Sequence, residues 1–240
     1  MELGKCKCDY IQKYRDKLKN LHGIESNIDK DKLLGNIFDI SCLPIDGKDF
    51  ITLVSMYGCN LSCKYCTNKD VSKYYKLSCE TLFDLLCQDS MDLEYSGVCF
   101  SGHEPLLQPE FILSFMDLVK SKGLKWRFGI ETSLNIELND RVKELLDRLD
   151  YIIVDIKDMT SAIYTSYTGK SIDLLYKNLK YLSNLYYRGD LDITLRIPFI
   201  PNFNSRIDMT YSMRVLDNLG FNIDLYDIFD YVDMGSMLDK

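Results

Sequence analysis

The chain has 240 residues, of which 46% are apolar and 27% charged, so it can bury the core of one large domain and is too apolar for global disorder. Its formal net charge of −7 argues against a nucleic-acid partner. No stretch approaches the roughly 20 apolar residues of a membrane helix. The first residues contain no apolar signal-peptide core either, and the sequence therefore predicts a cytoplasmic protein without a membrane partner.

Residues 1–45 are predicted to be an N-terminal extension to a main domain over residues 46–240. Ile11, Tyr14, Leu18 and Leu21 recur at helical spacing, which predicts a short amphipathic helix over residues 9–21. The polar stretch that follows is predicted to be a loop.

From residue 50 onward, short apolar runs alternate with helical patterns. The predicted elements, in chain order, are strand 51–56, helix 78–88, strand 98–100, helix 109–123, strand 125–130, helix 139–149, strand 151–156, helix 172–187, strand 192–197, helix 207–219 and strand 222–229. Ser78 is a suitable N-cap and Pro109 a suitable first helical residue. The nearly continuous apolar run over residues 151–156 is typical of a strand buried on both faces.

These six alternations, the last without a clear helix, predict parallel βαβ units with right-handed crossovers. The fold class is therefore α/β. An open, partial (β/α)6 barrel with a short N-terminal helical extension accounts for the pattern. A flavodoxin-like open sheet accounts for it as well, and the element pattern alone does not separate the two.

The strongest chemical signal is a group of three cysteines, Cys59, Cys63 and Cys66, directly after the first predicted strand. Iron–sulfur clusters normally have four cysteine ligands, yet no fourth cysteine or histidine lies within a dozen residues on either side. Three thiolates would leave one iron open to an external chelating ligand. The alternative is a structural zinc site, with Cys42 or Cys99 as a distant fourth ligand.

The spacing Cys59-x3-Cys63-x2-Cys66, with Tyr65 before the last cysteine, resembles the signature of the radical S-adenosylmethionine (SAM) superfamily. Further motifs follow the next four predicted strands: Ser101-Gly102-His103-Glu104-Pro105, Glu131-Thr132-Ser133, Asp155-Ile-Lys157, and Leu195-Arg196-Ile-Pro198 with Pro201-Asn202. Together they resemble the glycyl-radical-enzyme activases, the branch of pyruvate formate-lyase activating type. The resemblance covers roughly residues 45–235.

The resemblance implies a radical-SAM-type partial barrel in which the three cysteines hold a [4Fe–4S] cluster. The open iron would chelate the amino and carboxylate groups of SAM, and Tyr65 would lie near the adenine. The backbone from Ser101 through Gly102 and His103 to Glu104 would accept hydrogen bonds from the SAM ammonium.

The same resemblance implies roles for the later strand ends. Lys157 would pair with the SAM carboxylate or ribose. A monovalent cation would be held by Glu131, Thr132 and Asp155, since hard oxygen ligands suit such an ion. The substrate side would be formed by Arg196 and Asp46. The resemblance also implies that Arg196 would contact the cofactor.

The implied reaction is one-electron cleavage of SAM to methionine and a 5′-deoxyadenosyl radical, which takes a hydrogen atom from the substrate. In an activase the substrate is a backbone glycine of a partner enzyme, and the electron comes from a flavodoxin- or ferredoxin-type reductant. One alternative is a radical SAM enzyme that epimerises or cross-links a ribosomal precursor peptide, with residues 1–45 as its docking element. Another is a non-enzymatic iron–sulfur or zinc protein.

Three departures from the activase pattern concern the SAM turn and the substrate side. His103 stands where the turn usually has a second glycine. The segment Asp46-Gly-Lys-Asp-Phe-Ile51 stands where activases commonly have Asp-Gly-Pro-Gly-Ile-Arg, and Val232 stands where a histidine is expected. Simpler interpretations also exist: the ring of His103 in solvent, and Asp155 with Lys157 as an ordinary strand-end ion pair worth at most about 1 kcal/mol if exposed.

The remaining cysteines lie outside the motif. Those of the second and third elements, Cys79, Cys87 and Cys99, are predicted to be buried as small apolar residues. An additional metal site formed by Cys6, Cys8 and Cys42 is a weaker hypothesis.

Overall fold

The computed structural model describes residue 16 and residues 33–45, 49–87, 95–189 and 191–230. Several predictions fall outside these residues: those for Asp46, Val232, Cys6 and Cys8, and most of the predicted helix over residues 9–21. The chain divides into two compact units. The first comprises Met1–Gly58 and Val71–Ile130, and the second comprises Cys59–Asp70 and Glu131–Lys240.

The described residues form a mixed sheet of eight strands. The strands are β1 Leu34–Ile45, β2 Asp49–Met56, β3 Tyr75–Ser78, β4 Tyr95–Gly102, β5 Arg127–Thr132, β6 Tyr151–Asp155, β7 Asp192–Phe199 and β8 Tyr226–Asp230. The helices are α1 Cys79–Cys87, α2 Pro109–Ser121, α3 Asp140–Arg148, α4 Ser161–Thr168, α5 Asp173–Arg188 and α6 Arg206–Asn218. None of these helices combines the length and the apolar character needed to cross a membrane.

The strand order is β3-β1-β2-β4-β5-β6-β7-β8. The pairs β2–β4, β4–β5, β6–β7 and β7–β8 are parallel. From β2 onward the strands with helical crossovers follow one another in chain order. A flavodoxin-like sheet would reverse that order near its first strand. The sequential order is that of a partial (β/α)6 barrel, so the predicted fold class is confirmed.

Two strands of the first unit were not predicted. β1 is antiparallel to both β2 and β3, with Ile40 opposite Val54 and Gly35 opposite Leu77. The core of this unit includes Phe100, Phe111 and Phe115, which are at most 1% exposed. The boundary at residue 45 remains a prediction, although β1 places residues 34–45 in the same sheet as β2.

In the second unit, α4 was not predicted, and the last strand begins later than predicted. Residues 223–225 form a short 3-10 turn, so β8 starts at Tyr226. The strands β6 and β7 contribute core residues such as Val154, Leu195 and Ile197, none of which has exposed surface. The other predicted helices and strands are confirmed within three residues at each end.

Candidate functional site

The motif Ser101–Pro105 lies beside the end of β2, in the first unit. Gly102 of β4 is the register partner of Met56, the last residue of β2. A Cβ atom at Gly102 would approach Phe38 to 2.8 Å and the backbone of Met56 to 3.0 Å, and the Gly102 φ is +97°. The turn therefore needs glycine at this position.

The three motif cysteines lie in the segment Cys59–Asp70, named here the cluster loop, which belongs to the second unit. The last carbonyls of α4 hold this loop: Ser62 N–H donates to Thr168 O at 2.8 Å, and Lys64 N–H donates to Tyr167 O at 3.0 Å. The last carbonyls of an α-helix generally need hydrogen-bond donors from outside the helix. The loop and the helix end therefore satisfy each other's backbone groups.

A buried polar network supports the same loop. The Asn60 side chain donates to the Asn135 carbonyl at 2.6 Å, and the Asn135 side chain donates to the Tyr164 hydroxyl at 2.8 Å. Asn178, which has no exposed surface, donates to the carbonyls of Leu134 and Ile136 at 2.8 and 2.6 Å. This network was not predicted, since buried asparagines have no distinctive pattern in the sequence.

The thiols of the cluster loop influence one another. Cys59 is exposed, whereas Cys63 and Cys66 are half-buried. Burial raises the pKa of the Cys63 thiol to about 11; Lys157 acts in the opposite direction, while Cys59, Cys66 and Asp155 raise it further. The backbone N–H of Leu61 donates to the Cys59 sulfur at 3.4 Å.

Lys157 lies two residues after the end of β6 and interacts electrostatically with Cys63 of the cluster loop. Its ammonium lies 2.9 Å from Asp155 Oδ2. Burial opposes its charge, but Asp155 and Cys63 raise the pKa of Lys157 above its ordinary value. Its φ is +64°, a conformation that non-glycine residues rarely adopt outside functional sites and turns. The predicted ion pair exists, and its partly buried setting distinguishes it from an ordinary exposed pair.

Arg196 of β7 lies among three carboxylates. Its guanidinium is 3.0 Å from Glu131, 3.5 Å from Asp227 and 3.9 Å from Asp155. Burial opposes the charge, but these carboxylates raise the pKa of Arg196. Asp227 was not predicted as a site residue. The available signal was an acidic residue in the last strand, and Asp227 is the register partner of Arg196.

Tyr65 lies in an aromatic group within the second unit. Its hydroxyl accepts a hydrogen bond from the Asn202 side chain at 3.2 Å. Its ring meets those of Phe203 and Tyr167 edge-on, with centroids 5.6 and 6.3 Å away. The loop that carries Asn202 is fixed by Asn204, whose amide accepts from Ile200 N–H at 2.6 Å.

The remaining predicted residues also have structural partners. Thr132 Oγ1 accepts from Leu134 N–H at 2.8 Å, and the buried Glu104 side chain accepts from Leu106 N–H at 3.2 Å. The simpler interpretation, with the His103 ring in solvent, is wrong. The ring is half-buried, and its Nδ1 atom accepts a hydrogen bond from the Gly58 N–H.

The buried-cysteine prediction is confirmed for two of three residues. Cys79 and Cys99 are 8% and 2% exposed. Cys87 is only half-buried, because it ends α1 at its carboxyl terminus.

The residues of the cluster loop fit an iron–sulfur core with three protein ligands. Cys59 and Cys66 both raise the pKa of the Cys63 thiol. Thiolates are the soft ligands that such clusters use, and N–H donors to sulfur stabilise them. Among the described side chains, no three His, Cys, Asp or Glu are already grouped as ligands of a metal ion. The fit therefore depends on residue type and on the spacing of the three cysteines in the chain.

The sequence model of the Radical SAM superfamily matches residues 53–212, more than half of the chain. This protein belongs to the radical SAM superfamily. Membership implies a [4Fe–4S] cluster and SAM as cofactors.

The protein is similar to activating enzymes of glycyl-radical enzymes. It is 28% identical to the pyruvate formate-lyase-activating enzyme of Clostridium pasteurianum over 210 residues, 85% of this chain and 84% of that relative. It is 35% identical to the (2S)-3-sulfopropanediol dehydratase activating enzyme of Klebsiella oxytoca over 142 residues, 58% of this chain and 42% of that relative. The match to the 4-hydroxyphenylacetate decarboxylase activating enzyme of Clostridioides difficile is 33% over 149 residues, 62% and 45% of the two chains.

Solved structures share the fold. SuiB of Streptococcus suis bound to S-adenosylmethionine has a TM-score of 0.58 at 16% identity, over 75% of this chain and 40% of that chain. The enzyme anSMEcpe with bound AdoMet has a TM-score of 0.56 at 17% identity, over 73% of this chain and 50% of that chain. The chain thus spans half or less of these structures, and the likeness concerns the fold alone.

Proposed function

We propose that this protein is a glycyl-radical-enzyme activase that holds a [4Fe–4S] cluster through Cys59, Cys63 and Cys66. When bound, the cluster supplies one electron that breaks the S–C5′ bond of SAM, giving methionine and a 5′-deoxyadenosyl radical that takes a hydrogen atom from a glycine of the partner. The observation that carries the proposal is the three-cysteine loop, fixed to α4 and electrostatically coupled to Lys157.

The role proposed for Lys157 is charge compensation. Its ammonium faces Asp155 and lowers the pKa of the Cys63 thiol, so it favours the thiolate that an iron ligand must be. The same ammonium can pair with the carboxylate of SAM. Its left-handed backbone, with a φ of +64°, suits a pre-organised group.

A monovalent cation is proposed beside Glu131, Thr132 and Asp155. The carboxylates of Glu131, Asp155 and Asp227 have a formal charge of −3. Lys157 and Arg196 contribute +2, so these five side chains have a formal charge of −1. One monovalent cation would neutralise it. Arg196 would then keep the carboxylates in place for that ion.

The other contacts are carried over from the family resemblance. In the second unit, the Tyr65 ring would lie against the adenine. In the first unit, the backbone of Ser101–Glu104 would accept hydrogen bonds from the SAM ammonium. Arg196 and Asp46 remain proposed substrate-side residues, and a flavodoxin- or ferredoxin-type protein remains the proposed electron donor.

Activation of a glycyl-radical enzyme is favoured over peptide modification because the relatives named above are all activating enzymes by name. The test is anaerobic incubation of the reconstituted protein with SAM, a reductant and a candidate partner that carries a C-terminal glycyl-radical loop and is encoded nearby. We expect a doublet electron paramagnetic resonance signal at the glycine, and none with Cys63→Ala. If 5′-deoxyadenosine forms without that signal, and a neighbouring precursor peptide changes in mass or stereochemistry instead, the peptide-modifying alternative is correct.

A further inference from the structure

The backbone immediately before the first motif cysteine is fixed by the turn after β4. The Gly58 N–H donates to His103 Nδ1 at 3.0 Å. The Glu104 N–H donates to the Gly58 carbonyl, and the His103 N–H to the Met56 carbonyl, at 3.0 and 3.1 Å. The N–H of Gly58, the last before Cys59, therefore donates to a side chain, whereas the other two hydrogen bonds join backbone groups.

The preceding residue, Tyr57, is fixed in the same way by a second residue of this region. Its N–H donates to the Asn36 carbonyl at 2.8 Å, and its carbonyl accepts from the Gln108 side chain at 3.0 Å. Gln108 also accepts from Asn36 N–H at 2.8 Å. The polar backbone groups of Tyr57 and Gly58 thus all have partners within the first unit.

The imidazole of His103 is held by aromatic neighbours. Its ring centroid lies 5.1 Å from that of Phe38 and 5.3 Å from that of Tyr57, and Tyr57 stacks on Tyr74 at 4.3 Å. The ring is half-buried, so its rotamer is restricted by packing. Nδ1 is consequently presented to Gly58 without a large loss of side-chain entropy on bond formation.

Gly58 needs such a restraint. Its φ is +109°, a conformation suited to glycine, and a Cβ atom there would meet none of the residues that the structure describes within 4 Å. Glycine also has the largest backbone freedom to lose on folding. Hydrogen bonds at its N–H and at its carbonyl therefore confine it, and the bond at the N–H is the one made by a side chain.

We propose that His103 is a positioning residue: its Nδ1 atom fixes the Gly58 backbone and so sets the position of Cys59 before the cluster binds. A glycine at residue 103, as in the family turn, offers no side-chain acceptor. This inference rests on the proposed function only in that Cys59 is taken as a cluster ligand.

Three variants separate the acceptor from the ring. His103→Phe keeps the ring that packs on Phe38 and Tyr57 but removes the acceptor. His103→Asn removes the ring but keeps an acceptor close to the position of Nδ1. His103→Gly removes both. The first measurement is amide hydrogen exchange of Gly58 and Cys59 in the metal-free full chain, with the exchange of Ile197 and the Tm as controls.

We expect His103→Phe and His103→Gly to speed amide exchange at Gly58 roughly tenfold, whereas His103→Asn should exchange at the wild-type rate. The exchange rate of Ile197 should be the same in all variants. The second measurement is iron release from the reconstituted protein to a chelator, which should follow the same order. The proposal is overturned if His103→Phe exchanges at the wild-type rate, if Asn is as fast as Phe, or if Ile197 and the Tm change in parallel. If the wild-type chain fails to bind iron, the proposed function fails, while exchange in the metal-free chain still tests His103.

Discussion

The guanidinium of Arg196 donates a hydrogen bond of 3.0 Å to the carboxylate of Glu131. The parallel register places Asp155 and Asp227 directly beside Arg196 on the two flanking strands. Residues that the sequence marks separately at strand ends thus form one charged group in the second unit.

Replacing Arg196 should disrupt this group. In Arg196→Met, three carboxylates lose their shared cation, and we expect a loss of about 1–3 kcal/mol in the free energy of unfolding. The matched control is Arg188→Met, which removes an exposed pair with Asp147 at 3.4 Å and should cost less than about 1 kcal/mol. Urea denaturation measures both, and equal losses would contradict the central role of Arg196.

Removing the ammonium of Lys157 should weaken SAM binding without unfolding the protein. Lys157→Asn keeps a residue that tolerates positive φ but carries no charge. A lost charged hydrogen bond corresponds to about 1.5–3 kcal/mol, or roughly a 10- to 150-fold rise in the SAM Kd. Isothermal titration of the reconstituted protein measures the SAM Kd. The control is Lys180→Asn, which removes a different ammonium, one that lies over the Tyr176 ring. An unchanged Kd in Lys157→Asn would remove the proposed role.

The asparagine network should be important for stability. Asn178→Leu leaves the carbonyls of Leu134 and Ile136 without their donor in a site with no exposed surface. We expect a loss of about 1–3 kcal/mol in the free energy of unfolding. Asn218→Leu, at the exposed end of α6, should change it by less than about 0.5 kcal/mol. Thermal and urea unfolding compare the two variants, and a similar response would show that the network contributes little.

Asp158 should make stability depend on pH. Burial raises the pKa of its carboxyl above 3.8, although the N–H of Thr160 and the amide of Asn204 donate to it. Since the folded state holds the proton more tightly, this contribution is fully present below pH 3.8 and is lost as the pH rises through the raised pKa.

Urea unfolding between acid and neutral pH tests this sign. The stability of Asp158→Asn relative to wild type should increase as the pH rises, whatever constant offset the lost hydrogen bond introduces. A difference that is flat, or that falls with pH, would show that the pKa of Asp158 is not raised in the folded protein.

The parallel part of the fold could be predicted because its apolar runs and helical periods are local signals. β1 could not, since Asn36, Asp39 and Pro44 disrupt its strand pattern and its stability comes from pairing with β2 and β3. α4 is rich in Ser, Thr and Tyr, residues with low helix propensity. It is stabilised by the cluster loop, which is distant in sequence.

The candidate site could be predicted as a set of residues but not as a set of contacts. The cysteine spacing and the strand-end motifs identified Cys63, Lys157 and Arg196. The partners of these residues, such as Asp227, and the acceptor role of His103 depend on the folded chain. Asp227 and His103 are visible in the sequence as an acidic strand residue and a departure from the family turn, but the sequence does not show which groups they contact.

The most direct test of the central claim is anaerobic reconstitution with iron and sulfide, followed by addition of SAM and a strong reductant. We expect about four irons per chain and formation of 5′-deoxyadenosine, both abolished in Cys63→Ala and both retained in Cys99→Ala. A metal centre with four protein ligands, or a cluster-loaded protein that forms no 5′-deoxyadenosine, would contradict the account.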